Sequence, residues 1–119
     1  MQQFLRDLFQ GQRYDEKNFF LIAGPCVIES GALLEEVAGK VSAICEKLGI
    51  PYLFKSSYRK ANRTSAASFT GLGDELGLGL LRETGRKFGL PTTTDIHAHE
   101  EADMAAPYAD VLQIPAFLC

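Results

Sequence analysis

Residues 19–55 read FFLIAGPCVIESGALLEEVAGKVSAICEKLGIPYLFK, and this stretch decides the fold class. It opens with a continuous apolar run, 19–23, which a Gly-Pro pair closes, and this predicts a strand buried on both faces. Apolar residues then recur at spacings of three and four, as on one face of an amphipathic helix: Leu34, Val37, Val41, Ile44 and Leu48. A second apolar run, 52–54, ends at Lys55. The stretch therefore predicts a strand, a helix and a strand in succession.

The same pattern of helix termination occurs twice in the chain. Lys47-Leu48-Gly49-Ile50-Pro51 resembles Lys87-Phe88-Gly89-Leu90-Pro91, with a glycine suited to follow a helix and a proline that prevents its continuation. Ser30 is a suitable N-cap for the first helix. The second helix is expected to begin at Asp74 and to bury one side, formed by Leu76, Leu80, Leu81, Thr84 and Phe88.

Further strands follow at 92–96, which is rich in β-branched residues, and at 111–114, with a short helix over 98–106 between them. Strands that alternate with helical crossovers predict a parallel α/β sheet, either doubly wound or part of a (β/α)8 TIM barrel. A closed barrel needs about 250 residues. If the fold is a barrel, the chain is one incomplete domain, 1–119, in which residues 19–119 supply about the first four strands and three helices, the first half of the barrel. Residues 1–18 are an N-terminal extension that fits either a hairpin or a helical turn.

Composition excludes several classes of protein. The formal net charge is -3, so the chain has no general attraction to nucleic acid or to anionic lipid. No apolar stretch approaches the roughly 20 residues of a spanning helix, and no secretory signal is visible at the N-terminus. Three scattered cysteines do not form a disulfide framework. We therefore expect a cytoplasmic protein.

The chemically distinctive residues follow the predicted strands: Cys26, Lys55, Asp95, His97 and Gln113. In parallel α/β folds the carboxyl ends of the strands carry the active site. Asp95 and His97 could orient a hydroxyl and accept a proton, or they could cap the helix that follows. Cys26 could be an inert buried thiol, and core packing is the expected role of Cys45 and Cys119.

The segment after the second strand is strongly basic. Residues 55–63 hold four cations and no acid, interleaved with serine and asparagine donors. This pattern suits the phosphate or carboxylate groups of a small anion, although a solvated basic loop is the alternative.

Four motifs in order resemble one family. Ala23-Gly24-Pro25-Cys26-Val27-Ile28-Glu29-Ser30, residues 54–65 (FKSSYRKANRTS), Thr94-Asp95-Ile96-His97 and residues 110–118 (DVLQIPAFL) are together similar to 3-deoxy-D-manno-octulosonate 8-phosphate synthases. The resemblance covers nearly the whole chain from Phe19. It implies a (β/α)8 barrel, usually a homotetramer, that condenses phosphoenolpyruvate with D-arabinose 5-phosphate in the synthesis of the Kdo sugar of lipopolysaccharide.

The resemblance also implies roles for individual residues. Lys55 and Lys60 would hold phosphoenolpyruvate in a pocket lined by Gln113 and by the backbone at Pro115 and Ala116. Three residues would hold the sugar phosphate, with one of them reaching a neighbouring subunit's site: Asn62, Arg63 (the one that reaches across) and Thr64. Asp95 would contact the sugar near its reacting end. Of these residues, Lys60, Asn62 and Asp95 are expected to be catalytic.

The resemblance implies a metal as well. Members with cysteine after Gly-Pro bind a divalent ion such as Zn, Fe or Mn, so Cys26 would be a ligand. The other ligands, a histidine, a glutamate and an aspartate, would lie in the half of the family's barrel that these 119 residues do not include. One thiolate alone cannot hold a catalytic ion, so the fragment by itself is expected to be inactive.

Two other functions stay open at this stage. The related 3-deoxy-D-arabino-heptulosonate 7-phosphate synthases share the Gly-Pro-Cys strand, but their basic loop usually reads Lys-Pro-Arg-Thr, where this chain has Lys60-Ala61-Asn62-Arg63. A half-barrel that binds anions without catalysis is the second alternative.

Overall fold

The computed structural model describes residues 2–59 and 73–119. Its helices and strands are, in chain order, α1 Gln2–Leu8, β1 Leu21–Ala23, α2 Gly31–Leu48, β2 Tyr52–Lys55, α3 Asp74–Phe88, β3 Thr92–Asp95, α4 Glu101–Ala105 and β4 Val111–Gln113, with a 3-10 turn at Ala116–Leu118. From β1 onward, strands and helices alternate as predicted. In the described residues no helix is long and apolar enough to cross a membrane.

The four strands form one parallel sheet in the order β1-β2-β3-β4. Each strand pairs with the next one along the chain, and the order does not reverse, whereas a doubly wound sheet reverses at a switch point. The prediction of a parallel α/β fold is confirmed. The arrangement is consistent with the first half of a (β/α)8 barrel.

Local capping chemistry explains where the two long helices end. The Ser30 hydroxyl accepts a hydrogen bond of 3.1 Å from the backbone N–H of Leu33, so Ser30 is the N-cap of α2 as predicted. Gly49 and Gly89 end α2 and α3 in the left-handed region, with φ of 70° and 64°. Only glycine adopts this region without strain, which accounts for the repeated Gly-x-Pro pattern.

The main core lies between the sheet and the helices α2 and α3. Tyr52 and Phe54 of β2 point into this core, together with Leu34 of α2 and with Leu78 and Leu81 of α3, and all five are fully buried. Gly85 lets α3 approach β3 closely, because a Cβ there would lie 2.5 Å from the Thr92 methyl group. Burial of these side chains supplies the main driving force for forming the layer.

The helices bury faces that are rotated from those predicted. On α2 the buried residues are Leu34, Ala38 and Cys45, while Ile44 and Leu48 are 55% and 64% exposed. On α3 the predicted Leu76 is exposed and the unpredicted Leu78 is buried. The predictions for Ile44, Leu48 and Leu76 were wrong. The apolar stripe of each helix is wider than the surface by which that helix contacts the sheet, so residues at the side of the stripe stay exposed.

The first strand is shorter and more exposed than predicted. It spans Leu21–Ala23 rather than 19–23, and Ile22 is 49% exposed. Leu21 and Ala23 pack against the core while Ile22 points to the opposite face, so the prediction of burial on both faces was wrong. The N-terminal alternatives are decided for a helix, since Gln2–Leu8 is helical. The helix predicted over 98–106 is confined to Glu101–Ala105, and Cys119, predicted to pack in a core, is exposed.

The N-terminal segment is attached to the start of β2. The side-chain amide of Gln12 accepts a hydrogen bond of 2.8 Å from the Tyr52 N–H and donates one of 3.0 Å to the Tyr52 carbonyl oxygen. Phe9 is buried and its ring packs against those of Tyr14 and Phe20. The extension therefore packs against the end of the sheet opposite the carboxyl ends of the strands.

Candidate active site

The strand register places three predicted site residues on one face of the sheet. Lys55 is paired with Thr93, and Asp95, two residues further along β3, is paired with Gln113. Partners in a parallel pair and residues two apart on a strand share a face, so Lys55, Asp95 and Gln113 point to the same side. They lie at the carboxyl ends of neighbouring strands, where this class of fold places its chemistry.

A cleft of about 260 Å³ lies at this end of the sheet. Its lining combines charged, polar and apolar groups from the loops that follow all four strands: Gly24, Pro25, Cys26, Lys55, Ser57, Arg59, Asp95, His97, Gln113, Pro115 and Phe117. The cleft is large enough for a small phosphorylated acid. Its composition, with two cations beside a carboxylate and an imidazole, suits an anionic ligand.

The loop that carries Cys26 is fixed to the end of β2. The Ser56 hydroxyl donates a hydrogen bond of 2.7 Å to the Pro25 carbonyl oxygen, and the Ile28 N–H donates one of 2.9 Å to the Ser57 carbonyl oxygen. Gly24 is required by close approach, since a Cβ at this position would lie 1.7 Å from the Lys55 carbonyl oxygen. These contacts hold the exposed Cys26 beside Lys55 at the rim of the cleft.

Asp95 is held by two side-chain donors. The Ser57 hydroxyl donates a hydrogen bond to Oδ1, and His97 Nε2 lies 2.8 Å from Oδ2. A carboxylate has about four lone-pair sites, so each oxygen still has capacity to accept from a bound hydroxyl. Since Nε2 faces an acceptor, it carries a proton. In the described residues His97 Nδ1 is buried and has no hydrogen-bond partner.

The imidazole of His97 is backed by Tyr58. The two rings are stacked, with centroids 6.3 Å apart and an interplanar angle of 26°. Tyr58 is buried, and its hydroxyl donates a hydrogen bond to the Glu101 carboxylate at the start of α4. Burial first, and then this hydrogen bond, raise the pKa of Tyr58 above its usual value, so the hydroxyl remains a donor at neutral pH.

The two cations that the structure describes in the cleft, Arg59 and Lys55, are held differently. Arg59 Nη2 lies 2.5 Å from Asp74 Oδ2, and Nη1 lies 3.8 Å from Glu101 Oε2. The hydrogen bond to Asp74 raises the pKa of Arg59, so the guanidinium stays charged. Within residues 2–59 and 73–119 no carboxylate lies within ion-pair distance of Lys55, whose charge is therefore available to an anion in the cleft.

The structure brings together five of the predicted site residues: Cys26, Lys55, Asp95, Gln113 and Pro115 all line the cleft. Ala116 is not part of the lining and instead begins the 3-10 turn. The predictions for Lys60, Asn62, Arg63 and Thr64 fall outside the described residues.

Two residues have a larger place in this geometry than the sequence predictions gave them. Ser57 contacts Asp95, and its position two residues after Lys55 is a signal that could have placed it on the same face. Glu101 bonds to Tyr58 over a separation of 43 residues, and no local pattern indicates that contact.

The described residues do not form a complete metal site. In ranges 2–59 and 73–119 no three side chains of histidine, cysteine, aspartate or glutamate converge as ligands. Cys26 offers a single sulfur donor, whereas catalytic sites of this kind use three protein ligands.

Comparison with known proteins places the chain in a family. Residues 6–119, almost the whole chain, match the DAHP synthetase I family. The chain belongs to that family. Within the DAHP synthetase I family it is 52% identical over 104 residues to the 2-dehydro-3-deoxyphosphooctonate aldolase of Burkholderia cenocepacia. It is 53% identical to proteins of the same name from Paraburkholderia xenovorans and Aromatoleum aromaticum.

Each of these alignments covers 87% of the chain and 37% of the relative, so the chain spans little more than a third of the relatives' length. Their name denotes the same enzyme as 3-deoxy-D-manno-octulosonate 8-phosphate synthase. The family resemblance predicted from the four sequence motifs is confirmed.

Proposed function

We propose that the full-length polypeptide carrying this chain condenses phosphoenolpyruvate with D-arabinose 5-phosphate and releases inorganic phosphate. The product would be 3-deoxy-D-manno-octulosonate 8-phosphate, the precursor of the Kdo sugar of lipopolysaccharide. One observation carries the proposal. Lys55, Asp95 and Gln113 line one cleft, in a chain that is 52% identical over 104 residues to a 2-dehydro-3-deoxyphosphooctonate aldolase.

Lys55 is proposed to bind the phosphoenolpyruvate anion. Its ammonium group lines a cleft in which Arg59 is the other described cation, and Arg59 is already paired with Asp74. Phosphoenolpyruvate is a trianion near neutral pH, so a fixed positive charge stabilises it more than a solvated one does. Gln113 and Pro115, which line the cleft, are proposed to complete the pocket, with Lys60 as a second cation for the anion.

Asp95 is proposed to contact the sugar hydroxyls near the aldehyde. Its two oxygens are oriented by Ser57 and His97 and retain free lone pairs. Asn62, Arg63 and Thr64 are proposed to hold the phosphate of the sugar, as the resemblance implies. Holding both substrates in one cleft converts a bimolecular encounter into an oriented reaction.

The reaction balances without an external reductant or oxidant. Carbon 3 of phosphoenolpyruvate forms a bond to the aldehyde carbon, whose oxygen gains a proton. Carbon 2 becomes electron-deficient and takes up water, which loses a proton. The tetrahedral species then loses inorganic phosphate by cleavage of its C–O bond, which leaves the ketone. The proposed contribution of the chain is to neutralise the anion at Lys55 and to align the sugar at Asp95.

The test is a phosphate-release assay on the full-length polypeptide with both substrates. Asp95→Asn is expected to lower kcat/KM by about 10–100-fold, the effect of losing a hydrogen bond to a charged group. Asp103→Asn is the matched control, because Asp103 lies exposed on α4, and it is expected to leave kcat/KM unchanged. Equal effects of the two substitutions would remove Asp95 from its proposed role.

A divalent metal bound by Cys26 is a separate proposal. The sulfur lies at the rim of the cleft, and the remaining ligands would come from outside the described residues. When bound, such an ion supplies a Lewis acid. Metal content of the purified full-length polypeptide is the measurement. Cys26→Asn is expected to lower it severalfold, while Cys45→Ser, at a buried thiol, is expected to leave it unchanged. Unaltered metal content in Cys26→Asn contradicts the assignment.

The name of the matched family favours a second candidate, 3-deoxy-D-arabino-heptulosonate 7-phosphate synthesis. The two functions differ in the acceptor, so turnover with erythrose 4-phosphate is compared with turnover on arabinose 5-phosphate. If turnover is faster with the four-carbon sugar, the heptulosonate function replaces the leading proposal.

We also propose that the full-length polypeptide is a cytoplasmic homotetramer. Light scattering of the purified full-length polypeptide measures the number of subunits.

A further inference from the structure

Four side chains beside the cleft form a continuous polar cluster, and one of them, Arg59, also lines the cleft. We call Tyr58, Arg59, Asp74 and Glu101 the clasp. Tyr58 donates to Glu101, Glu101 lies 3.8 Å from Arg59, and Arg59 forms the 2.5 Å ion pair with Asp74. The guanidinium carbon of Arg59 also lies 5.9 Å from the centroid of the Tyr58 ring. The clasp therefore links the end of β2 to the first residues of α3 and α4.

The clasp contacts the cleft through His97 and through Arg59, which itself lines the cleft. The Tyr58 ring stacks on the imidazole, while Asp95 holds its Nε2. The phenol cannot rotate away from His97 without breaking its bond to Glu101. α3 packs closely against Tyr58 as well, since a Cβ at Gly77 would lie 3.4 Å from the Tyr58 Cβ. The imidazole is thus fixed between a carboxylate and a clamped ring.

The Arg59–Asp74 pair has little value for stability alone. The Arg59 side chain is 43% exposed and that of Asp74 is 30% exposed, and partly exposed ion pairs contribute little to folding. The pair nevertheless joins the last described residue after β2 to the first residue of α3, and its guanidinium makes a two-atom contact with the carboxylate. A contact of this kind fixes the orientation of the guanidinium more than it stabilises the fold.

We propose that the clasp is a positioning network, which sets the orientation of His97 and holds the Arg59 side chain at the edge of the cleft. Tyr58, Asp74 and Glu101 are not among the described residues that line the cleft, whereas Arg59 is, so the clasp acts on the cleft through His97 and through Arg59. The effect of the clasp on catalysis rests on the proposed function, but the orientation of His97 does not. The two consequences are therefore measured separately.

The first experiment is a double-mutant cycle on kcat/KM in the full-length polypeptide, with Arg59→Ala, Asp74→Ala and the double variant. Each single substitution is expected to lower kcat/KM at least tenfold, and the double variant no further, because either change opens the same contact. Arg59→Lys keeps the charge and is expected to recover part of the loss. The melting temperature is expected to change little in all four.

The control is a second ion pair, Lys87–Glu35, which is 3.1 Å long and joins α3 to α2 away from the cleft. Its cycle with Lys87→Ala and Glu35→Ala is expected to change kcat/KM less than twofold. The proposal is overturned if the losses of kcat/KM in the Arg59–Asp74 cycle multiply as for independent residues, or if kcat/KM does not fall. It is also overturned if the control cycle shows an equal coupling between Lys87 and Glu35.

The second experiment needs no turnover. The imidazole ¹H–¹⁵N resonances of His97 and His99 are compared between the wild-type full-length polypeptide and Tyr58→Phe, with assignments made from His97→Asn and His99→Asn. His99 is the internal control, since its side chain is 92% exposed. A shift at His97 alone supports the clasp even if the condensation is not observed. Unchanged His97 resonances, or equal changes at His99, refute it.

Discussion

Gly24→Ala tests whether the cleft depends on direct contact between the first two strands. A Cβ at position 24 would lie 1.7 Å from the Lys55 carbonyl oxygen and 2.8 Å from the Lys55 carbonyl carbon. Both atoms belong to the backbone, so no side-chain rotation relieves the collision. The strands must separate by more than about 1 Å at this point, and overpacking of this kind typically lowers the free energy of unfolding by about 1–3 kcal/mol.

The separation would also displace the functional groups. Lys55 carries the charge proposed to bind the substrate anion, and the loop with Cys26 begins directly after Gly24. We therefore expect Gly24→Ala to lower the melting temperature of the full-length polypeptide by several degrees. We also expect kcat/KM to fall by more than tenfold in the phosphate-release assay.

Gly79→Ala is the matched control. Gly79 lies inside α3, and a Cβ there meets no atom of residues 2–59 and 73–119 within 4 Å. Alanine favours the helix by up to about 1 kcal/mol over glycine, so this variant is expected to be as stable as the wild type or more stable. If Gly24→Ala melts at the wild-type temperature and keeps full activity, the close contact between β1 and β2 is not what shapes the cleft.

Two further predictions concern stability. Gln12→Ala leaves the buried Tyr52 N–H without its acceptor and is expected to lower the free energy of unfolding by about 1–3 kcal/mol in urea titration. Gln3→Ala, which removes an exposed hydrogen bond to Asp7, is the control. Equal losses in the two variants would contradict the attachment of the N-terminal extension to β2. The raised pKa of Tyr58 means that folding favours its neutral form, so that stabilisation is complete below the unfolded pKa of about 10 and is lost as pH rises through the higher folded-state value. Unfolding measured from pH 8 to 11 is expected to show this loss, and the pH dependence is expected to be shallower in Tyr58→Phe; identical slopes would count against it.

Helix boundaries could be predicted because they depend on contacts within a few residues. Ser30 accepts from an N–H three residues away, and Gly49 and Gly89 end helices through their own backbone conformation. The clustering of Lys55, Asp95 and Gln113 could also be predicted, since the carboxyl ends of parallel strands meet at one edge. Family membership followed from four motifs that are specific only in combination.

Burial and long-range pairing could not be predicted in this way. Ile44 and Leu48 continue the apolar spacing of Leu34, yet they are exposed, because burial depends on what packs against a helix and not on its own pattern. Ile22 is exposed because it points away from the face on which Leu21 and Ala23 pack against the core. The sequence shows that Arg59 is a cation, but its partner Asp74 was predicted only as a helix start.

The sequence by itself determined the order of strands and helices, their capped ends and the edge of the sheet that carries the polar groups. Only the tertiary structure decided that Ser57 orients Asp95 across 38 residues and that Glu101 holds Tyr58 against His97 across 43. The physical reason is the distance along the chain over which each interaction acts. Turn and cap preferences act within a few bonds of one residue, whereas a hydrogen bond between loops exists only after the sheet has brought its strand ends together.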